Sequence, residues 1–90
     1  MNTLYVIVVY DIEVNRIDKV RKLLRAYLFW IQNSVFEGEL TEASYKSMVM
    51  ELKRMIRNDY DSVVIFKFNS KKSFNREVLG VGLDDNGFVV

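Results

Sequence analysis

Three residue types are missing from this 90-residue chain: cysteine, histidine and proline. Without cysteine the chain has no disulfide and no thiolate to offer a metal ion, which is typical of proteins in a reducing compartment. Without histidine it lacks the commonest general base and the commonest transition-metal ligand. Any hydrolytic chemistry must therefore use carboxylates, hydroxyls or a metal-activated water.

Long hydrophobic runs are also missing. The apolar stretch Leu4–Tyr10 is too short to cross a membrane. It also lacks the basic segment and the cleavage site of a secretory signal. We therefore expect a cytoplasmic protein that does not act at a membrane.

The net charge is only +1, but the charged residues are unevenly distributed. Residues 14–35, 46–57 and 67–76 contain all 13 lysines and arginines and only two of the 12 acidic residues. Such segregation can create a basic face that attracts nucleic acid. The same pattern also fits ordinary solvated helix faces, and charge alone does not decide between the two.

Hydrophobic periodicity predicts an α+β fold with the element order β-α-β-β-α-β. The continuous apolar run Leu4–Tyr10 indicates a central strand, and residues 14–28 have the spacing of an amphipathic helix. Residues 29–40 predict two short strands, or one bent strand, with a kink at Gln32–Ser34. Residues 62–68 predict another strand.

The second helix is predicted to begin after Thr41, which is a good capping residue. Beyond the strand 62–68, residues 74–82 form a weaker extended segment, and Asn86-Gly87 predicts a tight turn. This order is the ferredoxin-like arrangement, in which both helices cover one face of an antiparallel sheet. The apolar stripe of the second helix consists of Tyr45, Met48, Val49, Leu52, Met55 and Ile56.

If both helices lie on one side, the other face of Leu4–Tyr10 needs a different cover. A domain of this size buries only about 60% of its surface, so association is a natural way to hide the rest. We therefore expect a homodimer that packs through the open sheet face.

Asp11 is the first candidate site residue because it stands where the central strand ends. One carboxylate is a poor site for a hard cation, but a two-fold dimer could bring two Asp11 side chains together to bind Mg²⁺. Tyr10, Ser34 and Phe36 are candidate neighbours, although Tyr10 and Phe36 also suit core packing. Alternatively, Asp11 caps the following helix or pairs with Arg16.

Acidic residues also cluster at Glu37, Glu39 and Glu42. Strand alternation places Glu37 and Glu39 on the same face of the sheet. We interpret them as solvated side chains rather than as a second metal site.

Four stretches resemble one family: "YDI" (10–12), the basic helix after it, "IQNSVFEGEL" (31–40) and "DSVVIF" (61–66). They are similar to the small CRISPR-associated protein of the adaptation module, the Cas-two family. The resemblance extends over essentially the whole chain. It implies a ferredoxin-like homodimer and a magnesium-dependent endonuclease acting on RNA or DNA, with Asp11 as the catalytic and metal-binding residue.

The resemblance also implies a scaffold role. Family members form the central dimer between two integrase dimers and hold a short DNA duplex, with single-stranded RNA as a further possible ligand. Backbone contacts carry over to Arg16 and Lys19, and the phenylalanine of the family's motif carries over to Phe36. The domain then spans residues 1–76, while residues 77–90 form a strand and tail that complete the dimer sheet and contact the integrase.

Trp30 is one departure from the family pattern, because a basic residue often precedes the Ile-Gln pair there. Fold analogy alone leaves two alternatives. One is a toxin-like ribonuclease related to virulence-associated protein D, and the other is a non-catalytic, ligand-sensing binding module.

Overall fold

The protein is described here from a computed structural model, which describes residues 2–81. It contains four strands and two long helices in the predicted order, with a short 3₁₀ helix after the last strand. The elements are β1 (Thr3–Asp11), α1 (Val14–Tyr27), β2 (Phe29–Gln32), β3 (Val35–Thr41), α2 (Glu42–Met55), β4 (Ser62–Phe68) and the 3₁₀ helix Lys71–Ser73.

The four strands form one antiparallel sheet in the order β2-β3-β1-β4. Tyr5 to Val9 of β1 pair with β3 on one side and with β4 on the other, so β1 is the central strand that its apolar sequence predicts. This strand order and the two helices confirm the ferredoxin-like α+β prediction.

The core lies between the sheet and the two helices. Val6, Val8 and Tyr10 of β1 point toward the helices and are buried, in agreement with the period-two alternation of a strand. The opposite face of β1 carries Ile7, Val9 and Asp11. From the helices and β3, the core also receives Val20, Leu24, Phe36, Met48 and Leu52.

The ends of the elements follow their local sequences. The Thr41 hydroxyl accepts a hydrogen bond from the Ser44 backbone N–H at 3.1 Å, so Thr41 caps α2 as predicted. The predicted kink separates β2 from β3. The pairing register shifts between Trp30 and Gln32, and Asn33 adopts a positive φ of 43°, which asparagine tolerates better than most residues.

The open sheet face differs from the prediction in one respect. The segment 74–81 is not a strand, and it partly covers this face. Phe74 packs against Tyr5 and Phe68, with ring centroids 5.6 and 4.6 Å apart. The predicted turn at Asn86-Gly87 lies outside the described residues.

Burial of Glu37 contradicts our interpretation of it as a solvated residue. Its carboxylate accepts a hydrogen bond from the Tyr5 hydroxyl at 2.7 Å and forms an ion pair with Arg76. Glu39, two residues later on the same face, is exposed as expected. The difference arises because the segment after β4 lies over Glu37, which no local pattern in β3 reveals.

Candidate functional site

Asp11 ends β1 on the sheet face opposite the helices, and its side chain is exposed. Its register partner is Ser62, the first residue of β4. On the same face, Val9 pairs with Val64 and Ile7 pairs with Phe66. The carboxylate therefore stands at the end of an apolar row on the part of the sheet that the helices leave open.

Neither structural alternative for Asp11 occurs in the described residues. The N-cap of α1 is Glu13, and no side chain caps that helix. Arg16 pairs with Asp61 and, more weakly, with Glu13. Asp11 thus has no capping or ion-pairing role there that would explain an acid at this position.

Asp61 is the residue that fixes the end of the sheet next to Asp11. Its carboxylate accepts from the Glu13 N–H at 3.0 Å and from the Arg57 N–H at 2.8 Å. It also receives a bidentate pair from Arg16, with Nε at 2.7 Å and Nη2 at 2.9 Å. One carboxylate therefore joins the start of α1, the segment after α2 and the start of β4.

These bonds set the electrostatics of Asp61 and Arg16. The Arg16 guanidinium and the two backbone N–H groups hold the pKa of the Asp61 carboxyl well below its usual range. Hydrogen bonding to Asp61 in turn raises the pKa of Arg16. The Asp61 side chain is fully buried and that of Arg16 is 15% exposed, so this guanidinium is directed into the protein.

Sequence reasoning did not identify Asp61 as a site residue, although it opens the family stretch "DSVVIF" (61–66). A signal was present, since Asp61 directly precedes β4 just as Asp11 ends β1. In an antiparallel pair these two positions fall at the same end of the sheet.

Two predicted neighbours of Asp11, Tyr10 and Phe36, lie on the helix side of the sheet, whereas Asp11 lies on the opposite face. The Tyr10 hydroxyl accepts from Arg21 Nε at 3.1 Å on the helix side, which raises the pKa of Arg21. Phe36 is fully buried beside Tyr10, with ring centroids 6.1 Å apart. Both side chains therefore pack in the core, which was the alternative stated for them above.

Ser34 lies in the turn between β2 and β3, and its backbone carbonyl accepts from the Tyr10 N–H at 3.1 Å. This bond places the turn at the same end of the sheet as Asp11. Lys19 lies one turn after Arg16 on α1 and is exposed. Of the two cations expected to contact nucleic acid, Lys19 faces solvent and Arg16 is held by Asp61.

The second polar cluster lies on the open face beneath the segment 74–81. Burial, and then the hydrogen bond to Glu37, raise the pKa of Tyr5 to about 12. The same acid raises the pKa of Arg76. A groove of about 460 Å³ continues from this cluster between the segment and the sheet, and its lining includes Ile7, Ile31, Val35 and Val78.

A single chain supplies only part of a binding site for a divalent cation. Asp11 supplies one exposed carboxylate, and residues 2–81 contain no group of three aspartate, glutamate, histidine or cysteine side chains that could hold a metal. Hard cations prefer several oxygen ligands. The residues therefore fit Mg²⁺ only if a second chain contributes its own Asp11. Within the same range, no helix is long and apolar enough to span a bilayer.

The fold and the position of Asp11 define a ferredoxin-like α+β protein with a carboxylate at the exit of its central strand. The family model of the CRISPR associated protein Cas2 matches residues 4–76. The chain therefore belongs to the Cas2 family, as the motifs in its sequence indicate.

Similar proteins support this assignment over most of the chain. "CRISPR-associated endoribonuclease Cas2 2" of Archaeoglobus fulgidus is 51% identical over 77 residues, or 86% of this chain and 84% of that protein. "CRISPR-associated endoribonuclease Cas2" of Methanothermobacter thermautotrophicus is 46% identical over 79 residues, or 88% and 87%. A solved structure described as a crystal structure of Cas2 superposes with a TM-score of 0.82 at 51% identity, covering 89% of this chain and 90% of the other.

Proposed function

We propose that the chain acts in CRISPR adaptation as a homodimer that binds nucleic acid and hydrolyses phosphodiesters of RNA or DNA with Mg²⁺ at Asp11. The observation that carries this proposal is the exposed Asp11 carboxylate at the exit of the central strand, on the sheet face that the helices leave open. Relatives named as endoribonucleases make RNA the first substrate to test. The cytoplasmic location expected from the sequence stays a prediction.

A second copy of the chain is the proposed cover for the apolar row beside Asp11. Val64 and Phe66 are 49% and 51% exposed although they lie in a strand next to the central strand. Exposed apolar side chains that adjoin one another typically mark an interaction surface. Two-fold packing of this face would bring one Asp11 from each chain toward the axis.

Within such a dimer, the two Asp11 carboxylates would hold the ion. Mg²⁺ bound there supplies Lewis acidity that stabilises charge on the phosphate during hydrolysis. The Asp61 cluster holds the backbone after Asp11 through the Glu13 N–H, so the carboxylate stands on a rigid support. With no histidine for proton transfer, we expect slow turnover.

The nuclease proposal is tested by comparing Asp11→Asn with Glu39→Gln. Both replace an exposed acid on the open sheet face, but only Asp11 lies at the proposed site. RNA cleavage should require Mg²⁺, disappear in Asp11→Asn and persist in Glu39→Gln. Equal cleavage by wild type and Asp11→Asn would show that the activity arises elsewhere.

The dimer proposal is tested by Phe66→Glu, with Met50→Glu as control. Met50 is similarly exposed but lies on α2, away from the open face. Light scattering should show a monomer for Phe66→Glu and a dimer for Met50→Glu, and cleavage should be lost only in the monomer. A Phe66→Glu dimer with full activity would contradict the shared site.

The scaffold part of the proposal concerns duplex DNA and the CRISPR-associated integrase. Its support is the exposed basic side of α1, where Lys19 faces solvent, whereas the charge of Arg16 is neutralised by its pair with Asp61. In this proposal the dimer bridges two integrase dimers. Residues 77–90 complete the dimer sheet and contact the integrase, while residues 1–76 form the domain.

Backbone contacts of this kind make affinity depend on salt but little on sequence. Lys19→Ala should reduce the slope of log affinity against log salt by about 0.9 for each phosphate that Lys19 neutralises. Lys46→Ala on α2 is the control and should leave the slope unchanged. A wild-type slope near zero, or no complex with integrase and duplex, would contradict the scaffold role.

A further inference from the structure

Trp30 is the only tryptophan of the chain and lies in the edge strand β2. Its side chain is not part of the core, since the residue is 53% exposed. The indole Nε1–H donates to the Asn33 carbonyl at 2.9 Å, which satisfies the polar edge of the ring and fixes its position. A large aromatic ring is therefore held at the surface in one orientation, with apolar area left for a ligand.

Trp30 lies on the face of the sheet that packs against the basic helix α1. In the register of the sheet Trp30 is opposite Phe36, on the helix side, where α1 packs against β2 and β3. The solvent-exposed residues of α1 include three cations, Lys19, Lys22 and Arg25, and one acid, Asp18, while residues 29–36 contain no charge at all. An uncharged aromatic platform next to a basic helix is the arrangement that single-stranded nucleic acids use, with bases on rings and phosphates on cations.

The edge of the sheet at Trp30 is also unsuited to accept another strand. The register shifts between Trp30 and Gln32, and the positive φ of Asn33 turns the chain directly afterwards. Irregularities of this type interrupt the ladder of backbone groups that an added strand would need. A planar ligand that stacks on a side chain requires no such ladder.

We propose that Trp30 stacks against an unpaired base of a single-stranded nucleic acid, with the basic residues of α1 neutralising the adjacent phosphates. This inference rests on the proposed function, because it assigns a contact to the nucleic acid that the protein binds. The turn between β2 and β3 lies at the end of the sheet that carries Asp11, through the bond from the Tyr10 N–H to Ser34. The stacked base thus lies at the same end of the sheet as Asp11, but on the helix side, whereas Asp11 lies on the open face. The contact selects unpaired strands.

The single tryptophan makes this contact directly measurable. The probe is an unstructured single-stranded RNA of about twelve nucleotides, mixed with Asp11→Asn in the presence of a chelator so that no hydrolysis occurs. Stacking should quench the indole fluorescence in a saturable way, whereas the same RNA annealed to its complement should quench it much less. Full quenching by the duplex, or binding of the single strand without quenching, would overturn the proposal.

Affinity measured by anisotropy of labelled RNA gives a second, independent readout. Trp30→Ala should weaken binding by between about 5- and 100-fold, and Trp30→Phe should weaken it less. Met50→Ala is the control because Met50 is 56% exposed but lies on α2, away from Trp30's strand and from the open sheet face. Its affinity should equal that of the unsubstituted protein, and circular dichroism should show the same fold for all variants.

The outcomes separate this inference from the proposed function. Unchanged affinity in Trp30→Ala, with RNA still bound, overturns stacking and leaves the nucleic-acid function intact. No binding of RNA by the unsubstituted protein overturns both. Fluorescence that changes with protein concentration in the absence of RNA would assign Trp30 to a contact between copies of the chain, and would likewise overturn stacking.

Discussion

Removing the Arg76 side chain should lower the free energy of unfolding, and the structure sets an upper limit on this loss. Arg76 is the ion-pair partner of Glu37, whose side chain is almost completely buried. If the segment 74–81 stays in place in Arg76→Ala, a buried carboxylate loses its countercharge, which costs about 3–5 kcal/mol. The Tyr5 hydroxyl is then its remaining hydrogen-bond donor among the contacts described above.

The segment can also detach, which sets an upper limit on the loss. Glu37 would then regain water, and the protein would lose the half-buried contact of Phe74 with Tyr5 and Phe68. Complete burial of a phenylalanine is worth about 1.5–3 kcal/mol, so partial burial contributes less. Because the protein takes the less costly route, we expect Arg76→Ala to lower the free energy of unfolding by about 2 kcal/mol. For a domain of this size the melting temperature falls by about 8–16 °C.

Urea and thermal unfolding at one fixed protein concentration measure this loss. Arg57→Ala is the control, because Arg57 pairs with Asp59 at an exposed site where ion pairs contribute about 0–1 kcal/mol. Adding Glu37→Gln to Arg76→Ala should recover about half of the loss, since it removes the buried charge and keeps an acceptor for Tyr5. A loss in Arg76→Ala no larger than in Arg57→Ala, or a double variant less stable than Arg76→Ala, would refute the reasoning.

Three further predictions concern the other clusters. Because the pKa of Asp61 is lowered in the folded state, its stabilising effect is present above the unfolded value of about 4 and is lost as pH falls below it. The free energy of unfolding of Asp61→Asn should therefore fall less steeply with acid than that of the wild type. An identical fall would contradict this. The pKa of Tyr5 is raised from about 10 to about 12, so its contribution to stability is present below pH 10 and is lost as pH rises toward 12. In denaturation curves across this range, Tyr5→Phe should lose less stability than the wild type. A parallel loss in the two proteins would refute the assignment. Phe36→Ala should lower the free energy of unfolding by about 3–5 kcal/mol because Phe36 is fully buried. Phe36→Leu should retain nucleic-acid affinity. A binding defect in a stable Phe36→Leu protein would instead show a direct role for the ring.

Much of the fold could be predicted from local patterns. The strand at Leu4–Tyr10, the helices and the Thr41 cap follow from periodicity and capping, which depend on residues within a few positions of one another. The same reasoning could identify Asp11 as a candidate site residue but left a capping role or a pair with Arg16 open, and the family motifs gave it a function to test. It could not show what Asp61 binds, because the partners of this carboxylate include Arg16, 45 positions away, and the N–H of Glu13, 48 positions away.

By itself, the sequence determined the order of elements, the choice of β1 as the central strand and the absence of histidine and cysteine chemistry. Only the tertiary structure decided which acid pairs with Arg16, that Glu37 is buried, and that Trp30 stands exposed with its N–H satisfied. The physical reason is that periodicity fixes the face on which a side chain lies. Burial and ion pairing depend instead on which distant segment, such as residues 74–81, lies over that face.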